Sequence, residues 1–220
     1  MLWSILICAI PERFHTAQGL LHSLLETQSV ARRPDVELLY FLDNRRRTVG
    51  AKRNDLLQMA KGEYLSFIDD DDEVATDYVD RVLGMIIKTR RAAQVDPYNS
   101  LADVICFPQR AILQPANITH ECTYSLQHWK EREPEKRRKL EQIPDGKGGV
   151  TPNTLAWSGP PAHTMLWRRE VVQGIKFPEK QFGEDVDWVD QACEKAKTEL
   201  VLNGAPLYFY KFDERKTATR

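Results

Sequence analysis

Three short apolar runs separated by helical patterns constrain the fold of this chain more than any other sequence feature. The runs are WSILICAI (3–10), VELLYFLD (36–43) and EYLSFID (63–69), and each ends at a turn or an acidic residue. Between them lie FHTAQGLLHSLLETQ and VGAKRNDLLQMAKG, in which leucines recur at helical spacing. This alternation predicts right-handed crossovers and a parallel sheet. We also expect Gly62 to cap the second helix.

The remainder of the chain predicts further strands and helices around a less regular middle. We expect a helix over 76–91, a strand over 103–108, a strand-to-helix unit at TMLWRREVV, a closing helix at VDWVDQACEKA and a last strand at APLYFYKF. The proline-rich stretch 108–160 predicts a long irregular insertion with one short charged helix at PEKRRKLEQI. The chain is therefore predicted to be one α/β domain, 1–220, whose Rossmann-like, mostly parallel sheet is flanked by helices.

Composition is typical of a soluble globular protein and argues against a bulk attraction to nucleic acid. Hydrophobic residues make up 42% and charged residues 29% of the chain, and the formal net charge is −1. The apolar start MLWSILICAI is too short to span a bilayer and lacks the basic residues of a signal peptide. Four scattered cysteines without a CxxC pair indicate reduced thiols, so we expect a cytoplasmic protein.

The segment SFIDDDDEV places four consecutive carboxylates, Asp69–Asp72, directly after the third apolar run. Asp43 ends the second run, and the carboxyl ends of parallel strands meet at one edge of the sheet, where α/β proteins bind ligands. Such an oxygen-rich edge suits Mg²⁺ or Mn²⁺. The alternative is a solvated acidic turn in which Asp72 and Glu73 start the next helix.

Four stretches together resemble the family 2 glycosyltransferases of the GT-A fold, in particular their compact phage-encoded members. The stretches are SILICAIPER, VELLYFLDN, GAKRNDLLQMAKGEYLSFIDDDDEV and GEDVDW, and they follow the order of the family over nearly the whole chain. The resemblance implies an inverting hexosyltransferase that uses a nucleotide-diphosphate sugar, such as a UDP-sugar, with Mn²⁺ or Mg²⁺. It also implies a nucleotide-sugar-binding half, 1–105, and an acceptor-binding and catalytic half, 106–220, with the irregular insertion on the acceptor side.

The resemblance assigns donor and metal roles to individual residues. The implied donor-binding residues are Ile10, Pro11, Arg13, Asp43, Lys52, Arg53, Asn54, Asp69 and Asp70. Within this set Asp43 would receive the nucleotide base, and Asp69 or Asp70 would face the ribose. Asp71 would bind the cation that bridges the two phosphates.

The same resemblance indicates where the acceptor reacts. Asp185 in FGEDVDW matches the base that takes the acceptor's proton, with Glu184 beside it; an acidic helix start is the alternative. The chain departs from the family pattern where a C-terminal histidine often completes the metal site, and His163, Asp213 or water could take that place. We expect Trp157 and His163 to contact the acceptor, although a lone histidine is more often structural.

The sequence leaves two acceptor classes open. Compactness, the absence of a membrane-anchoring tail and the basic clusters at 45–47 and 136–139 slightly favour a hydroxymethylated pyrimidine in DNA, as in bacteriophage DNA modification. The net charge favours a saccharide of a cell-surface glycan, and the second cluster could equally be a solvated helix face. Two rival functions are a nucleotidyltransferase, which should carry a Gly-rich loop that is absent here after the first run, and a non-catalytic sugar-binding module.

Overall fold

The computed structural model describes residues 1–95, 101–131 and 133–213. Its strands are β1 (Trp3–Ala9), β2 (Val36–Leu42), β3 (Tyr64–Phe67), β4 (Glu73–Val74), β5 (Val104–Cys106), β6 (Gln109–Gln114), β7 (Ile118–Tyr124), β8 (Lys139–Pro144), β9 (Val150–Gly159), β10 (Leu166–Arg168), β11 (Glu199–Val201) and β12 (Tyr208–Asp213). Its helices are α1 (Phe14–His22), α2 (Val49–Met59), α3 (Tyr78–Val95), α4 (Leu126–Glu131), α5 (Arg169–Val172) and α6 (Glu184–Lys195). A π-helical turn (Ser23–Thr27) continues α1, and 3₁₀ turns cover Pro11–Arg13, Val30–Arg32 and Pro134–Lys136.

The first sheet contains the three predicted parallel strands, with β1 between β3 and β2. The full order is β11-β5-β10-β3-β1-β2, and β10 runs antiparallel to both of its neighbours. Because helices and loops cover both faces, β1 is buried almost throughout, which is why its sequence WSILICA is continuously apolar rather than alternating. The predicted α/β fold is therefore confirmed, as a mixed sheet flanked by helices.

The stretch 108–160 is more regular than the sequence predicted. It contributes β6, β7, β9 and β8 to a second sheet of order β4-β12-β6-β7-β9-β8. The predicted helix at PEKRRKLEQI is wrong, because that segment forms a 3₁₀ turn followed by β8. β8 pairs antiparallel with β9, placing Leu140 opposite Trp157, and this cross-strand pairing overrides the helical charge pattern.

The predicted helix after the second run is present, but Gly62 does not cap it. The Thr48 hydroxyl accepts a hydrogen bond from the Ala51 amide at 3.2 Å, which starts α2, and the helix ends at Met59. Gly62 instead lies against β1, where a Cβ atom would come within 2.4 Å of the Ser4 nitrogen. Glycine is required there by the close approach of two backbones.

One cluster of buried apolar side chains extends from β1 to β12. Its largest members include three tryptophans, of which Trp188 in α6 stacks on Phe177 with ring centroids 4.7 Å apart. Trp167 in β10 meets Trp188 edge to face at 5.7 Å, so Trp188 holds α6 against the first sheet. The division into halves 1–105 and 106–220 stays a prediction. Among the described residues, no helix is long and apolar enough to cross a membrane.

Candidate active site

A cavity of about 860 Å³ lies between the end of β1, the acidic turn (Asp69–Asp72) and the second-sheet strands β6 and β12. Its size is in the range of pockets that enclose small-molecule ligands. The predicted site residues that line it are Ile10, Arg13, Arg53, Asp69, Asp70, Asp71 and Asp213. The predicted site residues outside its lining are Pro11, Asp43, Lys52, Asn54, Trp157, His163, Glu184 and Asp185.

Arg13 spans two carboxylates of the acidic turn. Its Nη1 donates to Asp70 Oδ1 at 2.9 Å, and its Nη2 lies 2.9 Å from Asp71 Oδ2. The other oxygen of Asp70 accepts a hydrogen bond from the Ile10 amide at 3.0 Å, so this side chain fastens the turn to the end of β1. Burial nevertheless raises the pKa of Asp70, and it raises the pKa of Asp71 to about 6.

Asp72 has a different role from the one predicted. It is buried, and its oxygens accept hydrogen bonds from the Tyr208 hydroxyl at 2.6 Å and from the Lys211 amide at 2.8 Å. The Tyr208 oxygen in turn accepts a bond from the Asp69 amide at 3.1 Å. Asp72 and Glu73 do not start a helix; they fasten β12 to the turn, and Glu73 belongs to β4. No motif indicated Tyr208, and the aromatic alternation in YFYKF was the available signal.

Arg53 is a buried cation between the cavity and α6. Only 5% of the residue is exposed, and its guanidinium lies 5.4 Å from the ring centres of both Phe67 and Phe177. Its Nη2 donates to Asp69 Oδ1 at 2.9 Å, and its Nη1 lies 3.4 Å from Glu184 Oε1. Burial raises the pKa of Glu184, which is buried against Arg53 rather than facing the cavity.

His163 links the acidic turn to the predicted base. Its Nε2 lies 3.5 Å from Asp69 Oδ2, and its Nδ1 lies 3.5 Å from Asp185 Oδ2. Burial and Arg53 lower the pKa of His163, but the two carboxylates outweigh them and raise it overall. Burial would raise the pKa of Asp185, yet His163 lowers it to about 2, so this carboxylate is ionised at neutral pH. The Asp185 side chain stays 39% exposed.

Asp43, just after β2, has one carboxylate oxygen that accepts hydrogen bonds and one that accepts none from the described residues. Its Oδ1 accepts hydrogen bonds from the Lys52 ammonium and from the Arg45 amide, both at 3.2 Å. Within the described part of the chain its Oδ2 is buried and has no hydrogen-bond partner. Because buried polar atoms are nearly always paired, this oxygen has unused capacity to accept one further N–H group. Lys52 itself is 2% exposed and holds Asp43 in place.

Two other predicted contact residues are engaged within the protein. The Asn54 amide donates to the Phe177 carbonyl at 2.9 Å and accepts from the Phe177 amide at 2.8 Å, so it holds the segment that leads to α6. Trp157 packs on Tyr124 in the second sheet, with ring centroids 5.1 Å apart. The donor role of Asn54 and the acceptor role of Trp157 stay predictions.

Asp71 is the predicted cation ligand, and it faces the cavity. Among the described residues, no group of three or more His, Cys, Asp or Glu side chains is arranged to hold a metal ion. Asp71 lines the cavity and is about one third exposed at its side chain. Mg²⁺ is commonly bound by one or two carboxylates together with substrate phosphates and water, and Asp71 can supply such a ligand.

A known protein family matches the central part of the sequence. Glycosyl transferase family 2 matches residues 26–146, which is more than half of the chain and includes Asp43 and the acidic turn. The chain belongs to glycosyl transferase family 2. β1, His163 and Asp185 lie outside the matched residues, so their roles depend on the geometry described above. Comparison with curated proteins gave no match.

Solved structures with the same fold come from S. aureus TarS. TarS 1–349 superposes with a TM-score of 0.59 at 16% identity, over 96% of this chain and 60% of that one. The TarS complex with UDP-GlcNAc superposes with a TM-score of 0.59 at 16% identity, over 97% of this chain and 59% of that one. The TarS complex with UDP superposes with a TM-score of 0.57 at 16% identity, over 96% of this chain and 61% of that one. This glycosyl transferase family 2 chain thus spans less than two thirds of those TarS chains, and the likeness shows a shared fold.

Proposed function

We propose that the chain is a metal-dependent, inverting glycosyltransferase that moves a hexose from a UDP-sugar to an acceptor hydroxyl. The observation that carries the proposal is the contact series Asp69–His163–Asp185, which joins the cavity to an ionised carboxylate. A donor in the cavity would therefore have a base close to its reacting end. The TarS complexes with UDP-GlcNAc and UDP support the donor class through the shared fold.

The donor half of the proposal uses the acidic edge of the first sheet. Asp43, two residues before the cavity-lining Arg45, would accept an N–H group of the base through Oδ2, which has no hydrogen-bond partner among the described residues. Asp69 would face the ribose, and Asp71 would hold Mn²⁺ or Mg²⁺. Such a cation, when bound, would supply positive charge that stabilises the leaving nucleoside diphosphate. Arg13 adds a second positive charge on the same wall of the cavity.

The acceptor half of the proposal uses Asp185 as the base. The acceptor hydroxyl oxygen bonds to the sugar carbon on the face opposite the diphosphate, and its proton passes to Asp185. The sugar–phosphate bond breaks, so a glycoside of inverted configuration and a nucleoside diphosphate result. His163, held between two carboxylates, keeps Asp185 oriented, while Arg53 and Glu184 form a buried pair behind it.

For the acceptor we favour a hydroxymethylated pyrimidine in DNA, with a saccharide as the alternative. Exposed arginines at 45–47 lie beside the cavity, and Arg45 lines it, which supports contacts with phosphate. Arg45 and Arg47 are also paired with Glu12 and Asp55, so their charge is partly balanced. We propose that the protein acts in the cytoplasm, and in the cytoplasm of the host cell if a phage encodes it.

Two measurements test the proposal in sequence. A thermal-shift screen of nucleotide sugars with Mn²⁺ should give its largest stabilisation with a UDP-sugar, because a ligand that binds only the folded state raises the melting temperature. Mass measurement should then find a hexose added to oligonucleotides that contain 5-hydroxymethylcytosine or 5-hydroxymethyluracil. Addition to oligosaccharides alone would select the alternative acceptor. Binding without any transfer or donor hydrolysis would favour the sugar-binding module.

A further inference from the structure

β12 is fixed to the acidic turn at Tyr208 and at Lys211, on both sides of Phe209 and Tyr210. Tyr208 bonds Asp72 through its hydroxyl, and the Lys211 amide bonds the other oxygen of the same carboxylate, at 2.6 and 2.8 Å. The Lys211 ammonium also pairs with Glu73. Tyr210 lies between these two attachment points, so its backbone is held at a fixed place beside the turn.

The Tyr210 side chain lies on the wall of the same cavity as the proposed cation ligand Asp71. It lines the cavity, is 38% exposed and stacks loosely on Phe212, with centroids 6.4 Å apart and planes 24° apart. Burial raises the pKa of its phenol, and the carboxylates of the acidic turn and of Asp185 raise it further. Tyr210 thus shares the cavity wall with the proposed cation ligand Asp71 and with Asp69, which contacts His163 and through it the proposed base.

The transferred sugar must occupy the space between those two groups, since its reacting carbon is bonded to the diphosphate and is attacked by the acceptor. Aromatic rings pack well against the C–H face of a hexose, because the ring offers a large rigid apolar surface. We propose that the ring of Tyr210 packs on the transferred sugar and selects the donor by that sugar, an inference that rests on the proposed function. The ring supplies contact area rather than a proton.

Calorimetry with UDP and UDP-GlcNAc, both with Mn²⁺, tests the assignment. Tyr210→Ala should weaken UDP-GlcNAc binding by about tenfold and leave UDP binding unchanged, because UDP lacks the sugar. Tyr210→Phe keeps the ring and should bind both ligands as the unaltered protein does. Phe209→Ala is the matched control, since Phe209 is the preceding aromatic residue of β12 and does not line the cavity.

Three results would overturn the role of Tyr210. They are an equal loss for both ligands in Tyr210→Ala, no loss for either ligand, and a loss in Tyr210→Phe as large as in Tyr210→Ala. Retained UDP binding in Tyr210→Ala also shows that the variant is folded. Failure of the unaltered protein to bind UDP or UDP-GlcNAc would instead overturn the UDP-sugar donor, and the sugar contact with it.

Discussion

At the scale of single residues, the aspartates in and near the cavity differ in hydrogen bonding and in pKa because their neighbours differ. Asp72 is bonded to β12, Asp70 is bonded to β1, and Asp71 is held near a pKa of about 6 by burial. His163 lowers the pKa of Asp185 to about 2, although burial alone would raise it. Different environments can give chemically identical carboxylates separate roles, and these pKa shifts are consistent with the proposed base at Asp185 and the proposed cation ligand at Asp71.

Asp185→Asn tests the base directly. Turnover should fall by about 10²–10⁴-fold, because a positioned general base contributes that much, while donor affinity should stay unchanged. Asp187→Asn is the matched control, since Asp187 is on the same helix but pairs with Lys180 on the surface. Donor binding by calorimetry and product formation by mass measurement give the two readouts. Full turnover in Asp185→Asn would exclude this residue as the base.

Arg13→Met tests whether a guanidinium competes with the cation for the acidic turn. Without nucleotide, the variant should bind Mn²⁺ about tenfold more tightly than the unaltered protein, because Arg13 no longer makes charged contacts with Asp70 and Asp71. Electron paramagnetic resonance of free Mn²⁺ measures this affinity without any turnover. Arg45→Met removes a cavity cation paired with Glu12 and should change nothing. Equal affinities in all three proteins would contradict the competition.

At the scale of elements, the approach of α2 to the segment before α6 sets the position of the proposed base. A Cβ atom on Gly50, near the start of α2, would lie 1.9 Å from the Pro178 carbonyl oxygen. Asn54, one turn further along α2, bonds both backbone groups of Phe177. The residues before Asp185 are thus fixed by backbone contacts as well as by aromatic stacking.

Gly50→Ala should therefore destabilise the protein and lower turnover together. Forcing an extra methyl group against backbone costs about 1–3 kcal/mol in the free energy of unfolding. Gly84→Ala in α3 is the control, because among the described residues no atom beyond its chain neighbours and its own helix backbone lies within 4 Å of the added Cβ, and it should stabilise by about 0.5–1 kcal/mol. Urea unfolding measures both changes. Equal stability of the two variants would show that the segment before α6 moves away without cost.

The sequence predicted the elements of the first sheet better than those of the second. Continuous apolar runs are recognisable without a partner, and β1, β2 and β3 lie where such runs occur. β8 was predicted as a helix because only its pairing with β9 makes it a strand. Asp72 bonds Tyr208, which is distant in sequence and marked by no motif. Neither this hydrogen bond nor the pairing of β8 with β9 could be predicted from local sequence.

At the scale of the whole molecule, Asp71 in the acidic turn lowers the stability of the fold at neutral pH. Burial raises the folded-state pKa of Asp71 to about 6, above its ordinary value of 3.8, so the folded protein binds this proton more tightly than the unfolded chain does. Its ionisation consequently costs stability as the pH rises through that interval. A carboxylate kept at such a cost is consistent with a role in binding a cation and a diphosphate.

Asp71→Asn should therefore be more stable than the unaltered protein at pH 7. This advantage should shrink as the pH falls from about 6 toward 4, because the unaltered side chain then becomes neutral as well. Urea midpoints across this range measure the difference, and Asp77→Asn, an exposed site beyond the turn, is the control. A difference that does not vary with pH would show that Asp71 is not destabilised by burial. The same variant should lose Mn²⁺ affinity in the presence of UDP, so stability and ligand binding should change in opposite directions.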